Sequence, residues 1–425
     1  MSDTESQQDF ELAIVGAGQA GAALAALLVR HTALSAGRIA LLAPDAAGLV
    51  EAPAIDAEPD LRVVALSHAS RQVLVNAGAW MRLPAQRLCA FERMRVWHAS
   101  LPADGLATLA FDAAEIGEAS LGVIAENAAI TRACLQSFRA AGGQPFSAGL
   151  RDFAVEDGAV RLQLTDGQRL GARLIVGADG ADSSVRQRLG IGLHSHSYGQ
   201  RAIVATVACE LPHQHTAWQR FLPTGPVALL PLFNGCCSIV WSAEEVLAQQ
   251  LLAMPAAEFA QRLEAATDGV LGAIELRSQR AAFPLQRATA RRLVAPRAAL
   301  IGDAAHRIHP LAGQGINLGF LDAAALCGSV AAALAGREDP GSVRSLRGYE
   351  QQRLTHDTLM SLSMSAFNTL FSQAGAAGWV GSRLLALAAA MAPARRALAR
   401  RALGLDGEIP ALARGPMATS MSGAP

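Results

Sequence analysis

Three short segments of the chain carry residues that could do chemistry, and each follows an apolar run. Gly16-Ala17-Gly18-Gln19-Ala20-Gly21 fits G-x-G-x-x-G, follows the run ELAIV (11–15), and opens an alanine- and leucine-rich helical stretch to about Arg30. In that setting the first glycine permits a tight turn and the second lets backbone approach a pyrophosphate. The third lets helix pack on strand, and phosphates rest on the helix N-terminus. Gly177-Ala178-Asp179-Gly180 follows a second apolar run and leads into Ala181-Asp182-Ser183-Ser184. By itself a DG turn before an Asp or Ser cap is an ordinary helix start; it gains weight from the third segment. That segment is Gly302-Asp303, after the run 298–301, continuing to HPLAGQGINLG at 309–319. An aspartate at a strand end can accept hydrogen bonds from polyol hydroxyls. Gly313, Gly315 and Gly319 leave backbone open beside a flat ligand. A helix beginning near Ile316 directs its positive end at such a ring, which suits one that becomes anionic on reduction.

The acid expected to bind a ribose at the end of the second strand falls at position 43, which is Ala43; Asp45, after Pro44, is the nearest substitute. His306 and His309 lie close to the third segment, but histidines beside a proline turn are as often structural, and neither is assigned as a base. No catalytic acid or base follows from the sequence. The 36 basic residues are all arginine, which excludes a P-loop lysine, a Schiff-base lysine and a lysine general base. The six cysteines show no CxxC spacing, so no zinc or thioredoxin-like site is expected; buried free thiols are the simpler reading.

The elements that must position these segments follow from pattern. Strand, glycine turn, helix and a second apolar run at 39–43 make a βαβ unit, and residues 44–60 read as an exposed loop. A helix is expected at 67–80, with Ser67 as N-cap and Gly78 near its end. Two strands, 159–165 and 169–176, flank the turn Asp166-Gly167. Residues 202–241 turn strand-like, with breaks at Pro212, Pro223 to Pro226 and Asn234-Gly235. Residues 243–270 return to helical composition. After Pro310 the chain reads as helical to about Gly336 and again from Ser342 to near Gln373. The expected organisation is a discontinuous cofactor domain (10–200 and 275–340), an inserted sheet and helix (201–274), a helical C-terminal region (341–405) and a disordered tail (406–425).

With 51% apolar residues the chain can bury a sizeable core, and zero net charge argues against nucleic acid as a partner. The most apolar stretches, 19–29, 321–335 and 384–393, are short or interrupted, so no membrane span is expected. The acidic, polar start lacks the pattern of a signal peptide, and a cytoplasmic location is expected. Residues 379–405 carry Arg383, Arg395, Arg396, Arg400 and Arg401 among Leu, Ala and Met. A basic amphipathic helix of that kind can lie on an anionic membrane; a surface helix or a partner-binding face is the plainer alternative.

Taken in order, GAGQAG, GADG and IGDAAHRIHPLAGQGINLGFLDAA resemble the para-hydroxybenzoate hydroxylase-like flavoprotein monooxygenases, and HPLAGQGINLG narrows this to the ubiquinone-biosynthesis hydroxylases (the UbiH/UbiF/VisC group). LRVVALSHAS, NAGAW, ENAAI and AFPL agree, and the resemblance runs from about 10 to 405. It implies an α/β fold: a Rossmann-like FAD-binding domain of the GR2 type, an inserted mixed β-sheet substrate domain and a helical C-terminus. It also implies roles. Gly16, Gly18 and Gly21 would hold the ADP half of FAD. Arg62 would reach the FAD phosphates or ring region. Asp179 and Gly180 would belong to FAD and pyridine-nucleotide handling. Gly302 and Asp303 would face the ribityl chain, and Gly313, Gln314, Gly315 and Asn317 the flavin ring. No metal is implied. NAD(P)H would dock transiently as reductant, since no second G-x-G-x-x-G is present, and O2 would add to reduced flavin as a C4a-hydroperoxide. The expected activity is ring hydroxylation of a polyprenyl phenol or benzoquinol in ubiquinone biosynthesis, within a multi-enzyme assembly. Two alternatives stand beside it. One is a soluble catabolic hydroxylase of aromatic acids, which an arginine-lined pocket would favour. The other is a noncatalytic FAD-binding scaffold in a quinone-biosynthesis complex.

Overall fold

The run at 11–15 forms the strand Gln8–Val15, near the middle of a seven-stranded sheet. It pairs in parallel with Ile39–Leu42 on one side and Arg169–Gly177 on the other, and Arg169–Gly177 pairs in parallel with Ala298–Leu300. Parallel strands covered on both faces read as continuous apolar runs, which is why these four are legible in the sequence. The hairpin Ala159–Leu164 to Arg169–Gly177 turns at Asp166-Gly167, as its turn residues require. The computed structural model describes residues 8–44, 54, 56–105, 108–156, 158–307, 315–354, 396–397, 400, 404–406 and 408–415.

The helix Gln19–His31 buries an unbroken stretch from Gly21 to Leu28. Its alanines let it lie close against the sheet, against Asn127–Ala140 and against the long helix Gly315–Ala335. That long helix has the length and composition of a membrane span, with mean hydropathy 1.8 in its most apolar window, yet 67% of that window is buried inside the protein. It is a core helix. His68–Asn76 is helical, and the Ser67 side chain accepts from the Ser70 N–H, as expected of its cap.

A second, nine-stranded sheet lies beside the first. It reaches well beyond 201–274. It includes Arg93–His98, Leu109–Asp112, all of Leu193–Cys209, Ala281–Ala290 and His306–Arg307. One face packs on the helices Glu245–Ala253 and Ala256–Ala266, which break at Pro255 within the expected helical stretch 243–270. The other face packs on a three-stranded sheet of Val63–Leu66, Gly122–Glu126 and Cys89–Phe91.

The C-terminal region differs from expectation in two places. Residues 343–354 are helical, but Leu346, Tyr349 and Arg353 are fully buried in the cofactor-domain core. The tail expected to be disordered from 406 is anchored over 408–415. Ile409 and Ala413 are buried there, and the Asn76 side chain donates to the Leu412 carbonyl at 2.7 Å. Two apolar side chains and one backbone acceptor hold a segment whose composition alone suggests a loose end. The arginine-rich stretch 379–405 and the second half of the helix expected to Gln373 lie mostly outside the described residues. All six cysteines are free thiols, and burial pushes Cys134 and Cys327 up to about 12.

Candidate active site

Register brings the three sequence segments together. Val15 is paired with Gly177, and Gly177 with Leu300. The turns at Gly16, Ala178 and Gly302 therefore sit side by side at the C-terminal ends of three adjacent parallel strands. Open α/β sheets bind ligands at such ends.

The three glycines of the first turn do different work. Gly16 has φ +100°, and a Cβ there would lie 2.4 Å from the Ala178 carbonyl oxygen. A Cβ on Gly21 would lie 2.0 Å from the Gly16 carbonyl oxygen, so helix and turn could not approach as they do. A Cβ on Gly18 would meet nothing within 4 Å, and the helix it caps has no side-chain cap. Gly18 thus leaves an open cradle at a positive helix end, as a pyrophosphate requires. Ala43 is buried and its N–H donates to the Phe146 carbonyl at 2.8 Å, so this position has no side-chain acceptor for a ribose; Asp45 lies outside the described residues.

The two aspartates part company. Asp179 turns its carboxylate onto its own turn: Oδ1 accepts from Ser183 Oγ (2.5 Å), and Oδ2 from Ser184 N (2.7 Å), Ser184 Oγ (3.0 Å) and Val185 N (3.2 Å). With Ser183 as N-cap, this secures the helix Ser184–Arg188, and Gly180 lies in the turn. Asp303 is exposed and has no side-chain partner among the described residues. Its carboxylate is available to ligand hydroxyls.

Asn317 is buried and both ends of its amide are engaged: Oδ1 accepts from Ser67 N (3.1 Å) and Nδ2 donates one N–H to Ala65 O (2.9 Å). Its side chain fixes the corner at 65–67. Gly315 opens the helix with free space on its Cα. Gly313 and Gln314 lie outside the described residues, as does His309. The Arg62 guanidinium lies 5.3 Å from the Phe283 ring centroid, linking the cofactor side to the second sheet.

Two buried ionic groups at the site escaped the sequence reading. Arg87 meets Glu126 through Nε–Oε2 and Nη2–Oε1 contacts of 2.7 Å each and donates to the Ala54, Ala57 and Glu58 carbonyls. The bond to Glu126 outweighs burial and raises its pKa. This pair holds the segment leading to Arg62. Asp322, fully buried, accepts from Gly302 N (2.8 Å), His306 Nε2 (2.6 Å) and Arg353 Nε (2.6 Å). Burial would raise this carboxyl, but His306 and Arg353 hold it at about 2. His306 is thus committed to the fold. The one charged residue of a mostly apolar helix was the available signal, because a buried charge demands partners.

Adjacent glycine turn, open helix end and free aspartate fit a dinucleotide carrying a polyol, and the architecture is that of the para-hydroxybenzoate hydroxylase-like FAD monooxygenases. A model of the FAD binding domain matches residues 130–361. The chain is 35% identical to the 3-demethoxyubiquinol 3-hydroxylase of Escherichia coli (strain K12), over 86% of this chain and 91% of that protein. It is 32% identical to the Homo sapiens mitochondrial ubiquinone biosynthesis monooxygenase COQ6, over 85% and 86% of the two chains. The crystal structure of P. aeruginosa PqsL in complex with 2-aminobenzoylacetate matches with a TM-score of 0.73 at 22% identity, covering 90% of this chain and 100% of that one; this likeness is one of fold. The chain belongs to the FAD-dependent hydroxylases of ubiquinone biosynthesis. It is a flavin-dependent aromatic hydroxylase, and FAD is its cofactor.

Proposed function

We propose that this chain hydroxylates the ring of a neutral polyprenylated phenol or benzoquinol. The observation that carries this reading is the composition of the second sheet's face away from the helices. Cys237, Ile239 and Trp241 point to the helices, so Ser238, Val240 and Ser242 point the other way. By the same register Ala202, Val204, Thr206, Gln219, Phe221 and Ala228 share that face, beside Ala217, Leu230 and Val240, which pack on the three-stranded sheet. The strand arginines Arg201 and Arg220 turn to the helix side, where Arg220 donates to the Ala265 and Ala266 carbonyls and Arg201 pairs with Glu245. These positions, all among the described residues, carry no charge of their own; the guanidinium that reaches this face, Arg62 over Phe283 opposite Ala202, comes from the cofactor side. His98 shares the face opposite Phe221; burial, then Arg220, lowers its pKa, so it is neutral near pH 7. A wall of apolar and neutral polar side chains with no charge of its own suits a neutral, lipid-like ring. FAD, when bound, supplies the redox chemistry with reductant and O2. The chain's part is to seat it through Gly18 and Asp303 and to orient the ring.

The test is coupled turnover of the holoenzyme with a prenylated phenol in detergent against 4-hydroxybenzoate and other short aromatic acids. The reading predicts oxygen from O2 in the prenylated product and little coupled turnover on the acids. Coupled turnover on the acids alone would favour the catabolic reading, and none on any ring the scaffold reading. Membrane attachment through 379–405 and membership of a quinone-biosynthesis assembly belong to the same proposal, supported by the apolar substrate it names. Flotation of the full chain with anionic vesicles, against a variant lacking those arginines, tests the first.

A further inference from the structure

We infer that Asp322 is a positioning residue for the cofactor: it sets the Gly302-Asp303 turn from behind. The inference rests on the FAD reading above. Asp303 has no side-chain partner among the described residues, so its place is set by the backbone that carries it. Gly302, one residue past the end of the strand Ala298–Leu300, is in the left-handed region (φ +59°), a conformation the turn needs fixed. Its N–H goes to Asp322 Oδ2, and the same oxygen accepts from His306 Nε2 on the far side of the turn. One carboxylate oxygen therefore spans the turn from Gly302 to His306, with Asp303 between. The other oxygen is held by Arg353, which is fully buried in the helix over 343–354.

Packing makes the same point. Gly319, one helical turn before Asp322, faces Gly302: a Cβ on it would lie 3.4 Å from the Gly302 Cα and 3.3 Å from the Ala20 Cβ. Ala20 lies in the first glycine segment. The long helix thus presses against both cofactor turns with Gly319 and pins one of them with Asp322. His306 also begins the short strand His306–Arg307 paired to Ala281–Ala290, so the carboxylate ties the cofactor turn to the edge of the second sheet.

The test separates the bond to the turn from the burial of charge. Asp322→Asn alone takes the carboxylate from the buried Arg353 guanidinium, so Arg353→Met accompanies each change. In Asp322→Asn/Arg353→Met, the amide oxygen can still accept from Gly302 and His306. In Asp322→Leu/Arg353→Met, nothing accepts. FAD dissociation is measured by flavin fluorescence, with apoprotein melting temperature alongside. The Leu/Met variant is expected to bind FAD at least about tenfold more weakly than wild type, and the Asn/Met variant to recover to within about threefold. Equal FAD affinity in both doubles and wild type overturns the inference, as does equal loss in both. If Leu/Met does not fold, Asn/Met decides it by retaining FAD or losing it. Wild type failing to bind FAD would instead overturn the cofactor reading itself.

Discussion

Asn317 closes a two-way link with the corner at 65–67, taking the Ser67 N–H on its oxygen and giving an N–H to the Ala65 carbonyl, partners 250 and 252 residues away in the chain. The same helix that carries Asn317 carries Gly319 and Asp322. One helix therefore sets both the corner at 65–67 and the turn at 302–306. Removing the amide leaves two backbone groups without partners.

Asn317→Ala should cost about 2 kcal/mol or more of folding stability, since each polar group left unsatisfied costs about 1–3 kcal/mol. Urea unfolding of the apoprotein measures it, and an unchanged midpoint would contradict the role assigned to this side chain.

Gly18 and Gly21 should fail in different ways. Gly18→Ala adds a methyl into open space, so apoprotein stability should hold while FAD binding weakens. Gly21→Ala forces a Cβ against the Gly16 carbonyl and should destabilise the apoprotein by about 1–3 kcal/mol as well. Melting curves and FAD titrations on both variants distinguish a ligand cradle from a packing contact.

Asp179 and Asp303 should separate in the opposite sense. Asp179→Ala removes the cap network of a short helix and should cost about 0.5–2 kcal/mol with little change in the affinity of folded protein for FAD. Asp303→Ala should leave stability unchanged and weaken FAD by about tenfold or more. Loss of FAD from the first variant and not the second would reverse the assignment.

Acid should act on the fold through Asp322. Its carboxyl is held at about 2, below the value it regains on unfolding, so the stability it contributes is present above about pH 4 and lost as pH falls toward 2. The Asp322→Leu/Arg353→Met variant should show a shallower loss of stability across that interval in chemical denaturation, where other carboxylates still contribute. An identical slope would contradict the pairing with His306 and Arg353.

The cofactor half of the molecule was legible because its signals are local. A glycine turn follows an apolar strand at Gly16, and the Asp166-Gly167 hairpin and the Ser67 cap each declare themselves within a few residues. The second sheet extends beyond what the sequence shows because its outer strands are defined by distant partners. Arg93–His98 is half charged and aromatic, and becomes a strand through parallel pairing with Thr216–Leu222. Asp179 shows the converse: its motif reads as ligand-binding, yet its carboxylate is spent on Ser183 and Ser184. The buried pairs of Asp322 and Arg87 are likewise made in space, with partners that no spacing rule connects.

The central claim is ring hydroxylation in quinone biosynthesis by an FAD seated on Asp303 and Gly18. Mass spectrometry of lipid extracts tests it most directly, comparing a deletion strain with strains complemented by wild type and by Asp303→Ala. The account predicts a prenylated intermediate lacking one hydroxyl in the deletion strain, full restoration by wild type, and impaired restoration by folded Asp303→Ala. An unchanged quinone profile on deletion, in a strain with no second copy of the activity, would contradict it.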